Sequence, residues 1–107
     1  MNGWLALLTA GLLEIIWALG LKYSDGLTRF WPSIGTIIAI LLSFAMMSLA
    51  LRSLPFGTAY AVWTGLGAVG VTIFGVMLFG ERLSAVQIGF LALIIIGVVG
   101  TKLFAPQ

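Results

Sequence analysis

The 107-residue chain contains no cysteine and no histidine. Disulfides, the common zinc sites and catalysis by a cysteine or histidine nucleophile or base are therefore excluded. Only 7% of the residues are charged, and no basic run of the kind that binds nucleic acid is present. The sequence also lacks a nucleophile paired with a base, a metal cluster and a phosphate-binding loop. We therefore predict no enzyme activity, no metal, no cofactor and no nucleic-acid partner.

Most residues of the chain are apolar. They make up 62% of the chain, and the mean hydropathy is +1.23. A soluble domain of this length could not cover so much apolar surface with five basic and three acidic side chains. The excess must face lipid, where no polar coat is needed. The composition predicts an all-α integral membrane protein.

Four apolar stretches, each about the 20 residues that a helix needs to cross a bilayer, follow one another along the chain. Asp25-Gly26 favours a turn, Pro32 suits the first position of a helix, and Ser84 with Gln87 fits a capping box. The first stretch lacks the cationic start of a cleaved signal and contains an acid, so we expect it to be retained. We predict a single transmembrane domain of four helices, at residues 4–21, 32–51, 58–79 and 85–104.

The basic residues are divided almost equally between the two sides of the membrane. Four helices put both termini on one side, and the tally is two against three: Arg52 and Lys102 on the terminal side, and Lys22, Arg29 and Arg82 on the other. Orientation depends largely on Lys and Arg bias in short loops, and a difference of one residue gives little instruction. We therefore predict insertion in both orientations. These charges and Glu81 are interpreted as markers of the water boundary, without specific chemistry.

Glu14 is the acid within the first helix. It lies about ten residues into that helix, so about 15 Å deep, near the middle of the bilayer. An ionised carboxylate there costs about 2.5 to 3.5 kcal/mol on insertion scales, which makes function the default interpretation. The alternative is a protonated side chain that only hydrogen-bonds a neighbouring helix. Gly11 and Trp17 share its helical face and could form the wall of a pocket.

Polar groups in the second and third helices could complete such a pocket. Tyr60, Trp63 and Gly67 share one face of the third helix, and the hydroxyl and the indole N–H both need partners. A buried carboxylate is one partner, whereas an interfacial aromatic belt is the alternative explanation. Ser43, midway along the second helix, either donates to the site or bonds its own i−4 carbonyl.

Glycines mark two further helical features. The third helix has glycines at 65, 67, 70 and 75, which favour close packing or bending. Gly89 and Gly97 lie two turns apart in the fourth helix, so they either form a small-residue face suited to helix association or are incidental.

A buried acid with aromatic rings near it suits a cation, because the rings add cation–π attraction to the charge. Proton and cation would then compete for Glu14, which amounts to antiport. A single copy of four short helices offers little wall for a pathway, and many transporters place their site between inverted repeats. An antiparallel homodimer would supply the second repeat, and the small charge bias permits it.

The sequence resembles the small multidrug resistance family over essentially its whole length, in four stretches: AGLLEIIWALGLKYSDGLTR, PSIGTI, LPFGTAYAVWTGLGAVG and FGERLS. Within the family, WALGLK and GTAYAVWTG resemble the guanidinium exporter subtype. The quaternary-ammonium exporters generally have a glycine-containing AEVIGT-like stretch where this chain has LEIIWA. Trp17 is therefore the main marker of the subtype.

The resemblance implies an antiparallel, dual-topology homodimer in the bacterial inner membrane that exchanges guanidinium for protons by alternating access. It implies that Glu14 binds both proton and substrate, with these residues around it: Gly11, Trp17, Ser43, Tyr60 and Trp63. It further implies a hinge at Gly65 and Gly67 and dimer packing through Gly89 and Gly97. Lys102 matches a lysine of the family to which we assign no role.

Two other functions remain open at this point. The first is a broad exporter of quaternary ammonium cations, which would need a wider pocket. The second is a passive channel or a non-transporting accessory subunit, in which Glu14 only holds helices together.

Overall fold

A computed structural model describes residues 2–104. Within that range it contains four α-helices and no strand: α1 Gly3–Tyr23, α2 Phe30–Ala50, α3 Phe56–Phe79 and α4 Ala85–Leu103. All four are long and apolar enough to cross a membrane. The prediction of an all-α protein with four transmembrane helices is confirmed.

Two helices begin two residues earlier than predicted. α2 begins at Phe30, which makes Pro32 its third residue rather than its first. α3 begins at Phe56, directly after Pro55 and two residues before the predicted start. The first-turn N–H groups of a helix have no partner within the helix, so a proline anywhere in that turn sacrifices no hydrogen bond. A proline therefore marks the first turn of a helix but not its first residue.

The connection between α1 and α2 is a tight left-handed turn. Asp25, Gly26 and Leu27 have φ values of 54°, 71° and 70°, so the turn predicted at Asp25-Gly26 is present. Ser24 is fully buried beneath it. Its hydroxyl donates to the Leu21 carbonyl at 3.2 Å and accepts the Leu27 N–H at 3.1 Å. These bonds satisfy backbone groups at the end of α1 and reverse the chain.

The start of α4 has the capping box predicted from its sequence. The Gln87 N–H donates to Ser84 Oγ at 3.1 Å, and the Ser84 N–H donates to Gln87 Oε1 at 2.9 Å. Both bonds satisfy N–H groups near the helix start that would otherwise lack partners.

The helices form a thin slab with extents of 43 × 35 × 17 Å. Small and apolar side chains of α1, α2, α3 and the α2–α3 connection meet in one core: Ala6, Leu7, Ala10, Met47, Ala50, Leu54, Ala59 and Val62. The alanines allow the backbones to approach closely, as is usual where helices pack within a bilayer. α4 packs against α3 at one edge of the slab and has no buried residue.

Candidate functional site

The carboxyl group of Glu14 lies against the backbone of α3 at Gly67. A Cβ atom at position 67 would collide with the Glu14 carboxyl group, whose Oε1, Cδ and Oε2 atoms are the three nearest to it. Gly67 is itself buried. The missing side chain of this glycine therefore creates the space that the acid occupies between the two helices.

Two polar atoms on the same face of α1 are buried without a partner. Within residues 2–104, neither Glu14 Oε1 nor Trp17 Nε1 has a hydrogen-bond partner. Leaving such atoms unpaired away from water costs about 1 to 3 kcal/mol each. The carboxyl oxygen can accept a hydrogen bond from a group outside the chain. The indole N–H can donate one to such a group.

Ser43 and Trp63 meet at the carbonyl oxygen of Ala10, one turn before Glu14. Ser43 Oγ donates to this oxygen at 2.8 Å, and Trp63 Nε1 lies 3.3 Å from it and 3.4 Å from Ser43 Oγ. Ser43 is fully buried. Of the two interpretations of Ser43, bonding to its own i−4 carbonyl is wrong, because the hydroxyl bonds across to α1. In a regular helix this Ala10 oxygen also accepts the Glu14 N–H. The Ser43 and Trp63 side chains therefore bind the same oxygen as the backbone of the acid.

Aromatic rings continue from Trp63 to the surface of α2 and α3. Ring centroids of Trp63 lie 5.8 Å from Phe44 and 5.9 Å from Tyr60, and Phe56 lies 6.0 Å beyond Tyr60. With Met47 and Ser48 these rings line an open cleft of about 250 Å³. Tyr60 is 51% exposed and Trp63 is half-buried. The two residues thus differ: the Trp63 indole lies between the helices, near the Ala10 oxygen and Ser43, whereas Tyr60 faces outward.

The other glycines singled out in the sequence lie elsewhere. Gly11 lies at the contact of α1 with α3, where a Cβ would lie 3.0 Å from Leu66 Cδ1. Gly65 faces α4, where a Cβ would lie 2.5 Å from Val98 Cγ2. Gly89 and Gly97 have open space within 4 Å of a Cβ. Gly67 alone of these five contacts the acid.

Sequence reasoning missed two features. Ala10 takes part only through its backbone, which has no signature in the sequence. Lys22 Nζ and Glu81 Oε2 form an ion pair at 2.5 Å, although both charges were interpreted only as boundary markers. The topology placed both residues on the same side of the membrane, and their opposite charges were the available signal.

Similarity to known proteins extends over nearly the whole chain. A family model described as "Small Multidrug Resistance protein" matches residues 2–94. The chain belongs to the small multidrug resistance family. Small multidrug resistance proteins named "Guanidinium exporter" are 57% identical to it in Citrobacter freundii, 54% in Proteus vulgaris and 51% in Escherichia coli strain K12. Each match spans 100 residues, which is 94% of this chain and 95%, 96% and 95% of the three relatives.

Membership of the small multidrug resistance family makes this chain a membrane transporter rather than an enzyme. With its four membrane-crossing helices, it is a multi-pass protein of the bacterial inner membrane. The resemblance drawn from the sequence motifs is thus confirmed at the level of the family.

Proposed function

We propose that this protein exports guanidinium in exchange for protons and that Glu14 binds either the cation or the proton. The observation that carries the proposal is the Glu14 carboxyl group, which lies midway along α1, against Gly67, with Oε1 unpaired among residues 2–104. An acid in that position binds a positive charge or a proton, because the bare carboxylate is costly. Competition between the two couples their movements when the site changes sides only while it is occupied.

The chemistry of guanidinium suits such an acid. Guanidinium is planar and presents paired N–H donors, which match the two oxygens of a carboxylate as an arginine side chain does. The names of the relatives favour the same cation, and the subtype marker Trp17 stands on the same face of α1 as the acid. In this proposal Ser43 orients the carboxylate indirectly, through its bond to the Ala10 carbonyl, and Trp17 orients it when its unpaired N–H reaches the acid. Tyr60 and Trp63 close the pocket.

The proposed working unit is an antiparallel homodimer. α4 has no buried residue within the chain, and Gly89 and Gly97 leave open space on it. A slab 17 Å thick also gives Glu14 little enclosure. A second copy in the opposite orientation would pair through α4, enclose the two acids and supply the inverted repeat that alternating access uses. The even distribution of Lys and Arg supports insertion in both orientations.

In the proposed cycle, α3 changes shape between states at Gly65 and Gly67. Glycine tolerates the backbone change, and both positions are already closely packed on one side, against Val98 and Glu14. A shift at Gly67 would therefore move the wall against which the acid rests.

Transport by purified protein in proteoliposomes tests the proposal, with guanidinium uptake and internal pH recorded together. We expect a guanidinium gradient to drive proton movement in the opposite direction and Glu14→Gln to abolish both fluxes. Asp25→Asn is the matched control, because it removes the same charge in the α1–α2 turn, and asparagine tolerates the positive φ of that site. Guanidinium flux without protons, or flux that survives in Glu14→Gln, would favour the channel or accessory-subunit alternative.

A second candidate substrate class is supported by the aromatic cleft. Its lining of Phe44, Met47, Phe56, Tyr60 and Trp63 is almost entirely apolar, and such a surface accommodates alkyl substituents. The same proteoliposomes with tetrapropylammonium separate the two substrates. Faster exchange of tetrapropylammonium than of guanidinium would assign the protein to the quaternary-ammonium exporters.

A further inference from the structure

An ion pair joins two distant parts of the chain at the membrane boundary. Lys22 lies in the last turn of α1, and Glu81 lies in the short connection between α3 and α4. Lys22 Nζ and Glu81 Oε2 are 2.5 Å apart, across a sequence separation of 59 residues. Lys22 follows Glu14 by about two turns, or about 12 Å along the helix. The pair therefore ties the helix that carries the acid to the end of the helix that carries Gly67.

The end of α3 is shaped to hold this pair. A Cβ at Gly75 would collide with Glu81 Oε1, so the carboxyl group occupies the space that this glycine leaves. The Glu81 N–H donates to the Gly75 carbonyl at 3.3 Å, and Gly80 between them has a φ of +66°. Lys22 Nζ also lies 5.0 Å from the ring centroid of Phe79, within the range of cation–π attraction. The Glu81 carboxylate and the Phe79 ring thus both bind the Lys22 ammonium group.

We propose that Lys22 and Glu81 are positioning residues that hold the ends of α1 and α3 together on the closed side of the transporter and separate when that side opens. This inference rests on the proposed antiparallel homodimer. In such a dimer each chain contributes one pair, so one pair lies at each face of the membrane. Opening one face breaks one pair while the opposite face forms the other.

The expected strength of the pair fits a contact that opens in every cycle. The two side chains are 55% and 45% exposed, and exposed ion pairs contribute little because water competes for both charges. The pair should therefore slow the departure from each closed state by a small factor, about two- to fivefold. Because each state keeps one pair, its loss should change the rate of interconversion and leave the balance between the states unchanged.

Lys22→Gln and Arg82→Gln form a matched comparison. Both variants remove one positive charge from the same side of the membrane, so any effect on insertion orientation is shared. Arg82 makes no ion pair with the residues that the structure describes. The full-length protein is purified into bicelles, and the interconversion of the two protomer conformations is measured by NMR exchange spectroscopy without ligand. We expect Lys22→Gln to interconvert about two- to fivefold faster than the wild type and Arg82→Gln to match the wild type.

Two further variants identify the pair as the cause. Gly75→Ala keeps every charge but displaces the Glu81 carboxyl group, so it should also speed interconversion. If Lys22→Gln does not purify as a dimer, Gly75→Ala takes its place in the comparison with the wild type. Exchange of the charges, with Lys22→Glu and Glu81→Lys together, should restore a rate near that of the wild type, which a purely structural role of either residue would not do.

Three results would overturn the inference: Lys22→Gln and Arg82→Gln at equal rates, slower interconversion in Lys22→Gln, or no recovery in the charge exchange. Guanidinium binding is measured separately on the same samples. A wild type that interconverts but does not bind guanidinium would contradict the proposed substrate and leave the role of the pair standing. A single set of resonances in the wild type that persists on cooling, without exchange broadening, would show that the two protomers do not adopt different conformations and would overturn both the alternating-access dimer and the role of the pair.

Discussion

The first three helices form a buried core, whereas the fourth helix does not. α1, α2 and α3 bury small residues against one another and place a hydrogen-bond network at the Ala10 carbonyl. α4 has comparable length and hydropathy but buries no residue and makes most of its contacts with α3. Apolarity alone therefore does not reveal which helix builds a site, because lipid, like a helix, accepts apolar side chains. Small residues in close contact, not hydropathy, distinguish the two regions.

The largest effect is expected inside the three-helix region, from Gly67→Ala. The new Cβ would take the place of the Glu14 carboxyl group, so the end of this side chain would have to move away from its position between the helices. We expect guanidinium exchange to fall by at least tenfold, since about 1.4 kcal/mol of misplacement is sufficient for that factor. Proteoliposome flux measures it. Gly35→Ala in α2 is the control, because its Cβ would meet nothing within 4 Å; equal activity of the two variants would show that Gly67 does not shape the site.

An intermediate effect is expected in α4. Gly89→Leu with Gly97→Leu adds bulk where the single chain has only open space, so the fold of one chain should tolerate it. If this face packs against a second copy, the dimer should weaken by about fivefold or more, because overpacking costs about 1 to 3 kcal/mol. Single-molecule photobleaching in liposomes counts the copies at decreasing protein density. Gly35→Leu controls for added bulk, and a double variant that dimerises like the wild type would remove α4 from the interface.

The smallest effect is expected from Ser43→Ala. It removes one of the two side-chain donors to the Ala10 carbonyl, and a typical hydrogen bond contributes about 0.5 to 1.5 kcal/mol. We expect a two- to tenfold fall in guanidinium affinity, because α2 then loses its polar tie to the helix of Glu14. Ser33→Ala is matched on the same helix, since the Ser33 hydroxyl bonds the Arg29 carbonyl of its own helix start. Equal binding by the two variants, measured by calorimetry, would contradict a role for the cross-helix bond.

The sequence was informative where the signal is local. A single carboxylate within an apolar helix made Glu14 the candidate site residue, and the cap of α4 followed from Ser84 and Gln87. The partner of Ser43 could not be predicted in this way, since it lies 33 residues away and depends on how α1 and α2 are rotated against each other. α2 and α3 began earlier than predicted, because a proline near a helix start does not mark the first residue of the helix.

Contacts made by glycine were the least predictable part of the site. Gly11, Gly65 and Gly67 look alike in the sequence, yet they face Leu66, Val98 and Glu14 respectively. Only the helix rotations decide which glycine makes room for the acid. The spacing of the glycines indicated close packing but not what packs there.

The three connections between helices are short: residues 24–29, 51–55 and 80–84. These connections place very few polar residues on either side of the bilayer. A purification tag fused to either terminus would therefore outweigh the native loops, and one rich in lysine or arginine would drive both termini to the cytoplasm. The ratio of orientations measured on such a fusion would describe the tag, and the proposed antiparallel dimer would lack one of its two orientations. Neutral or cleaved tags are required before the topology of this protein is measured.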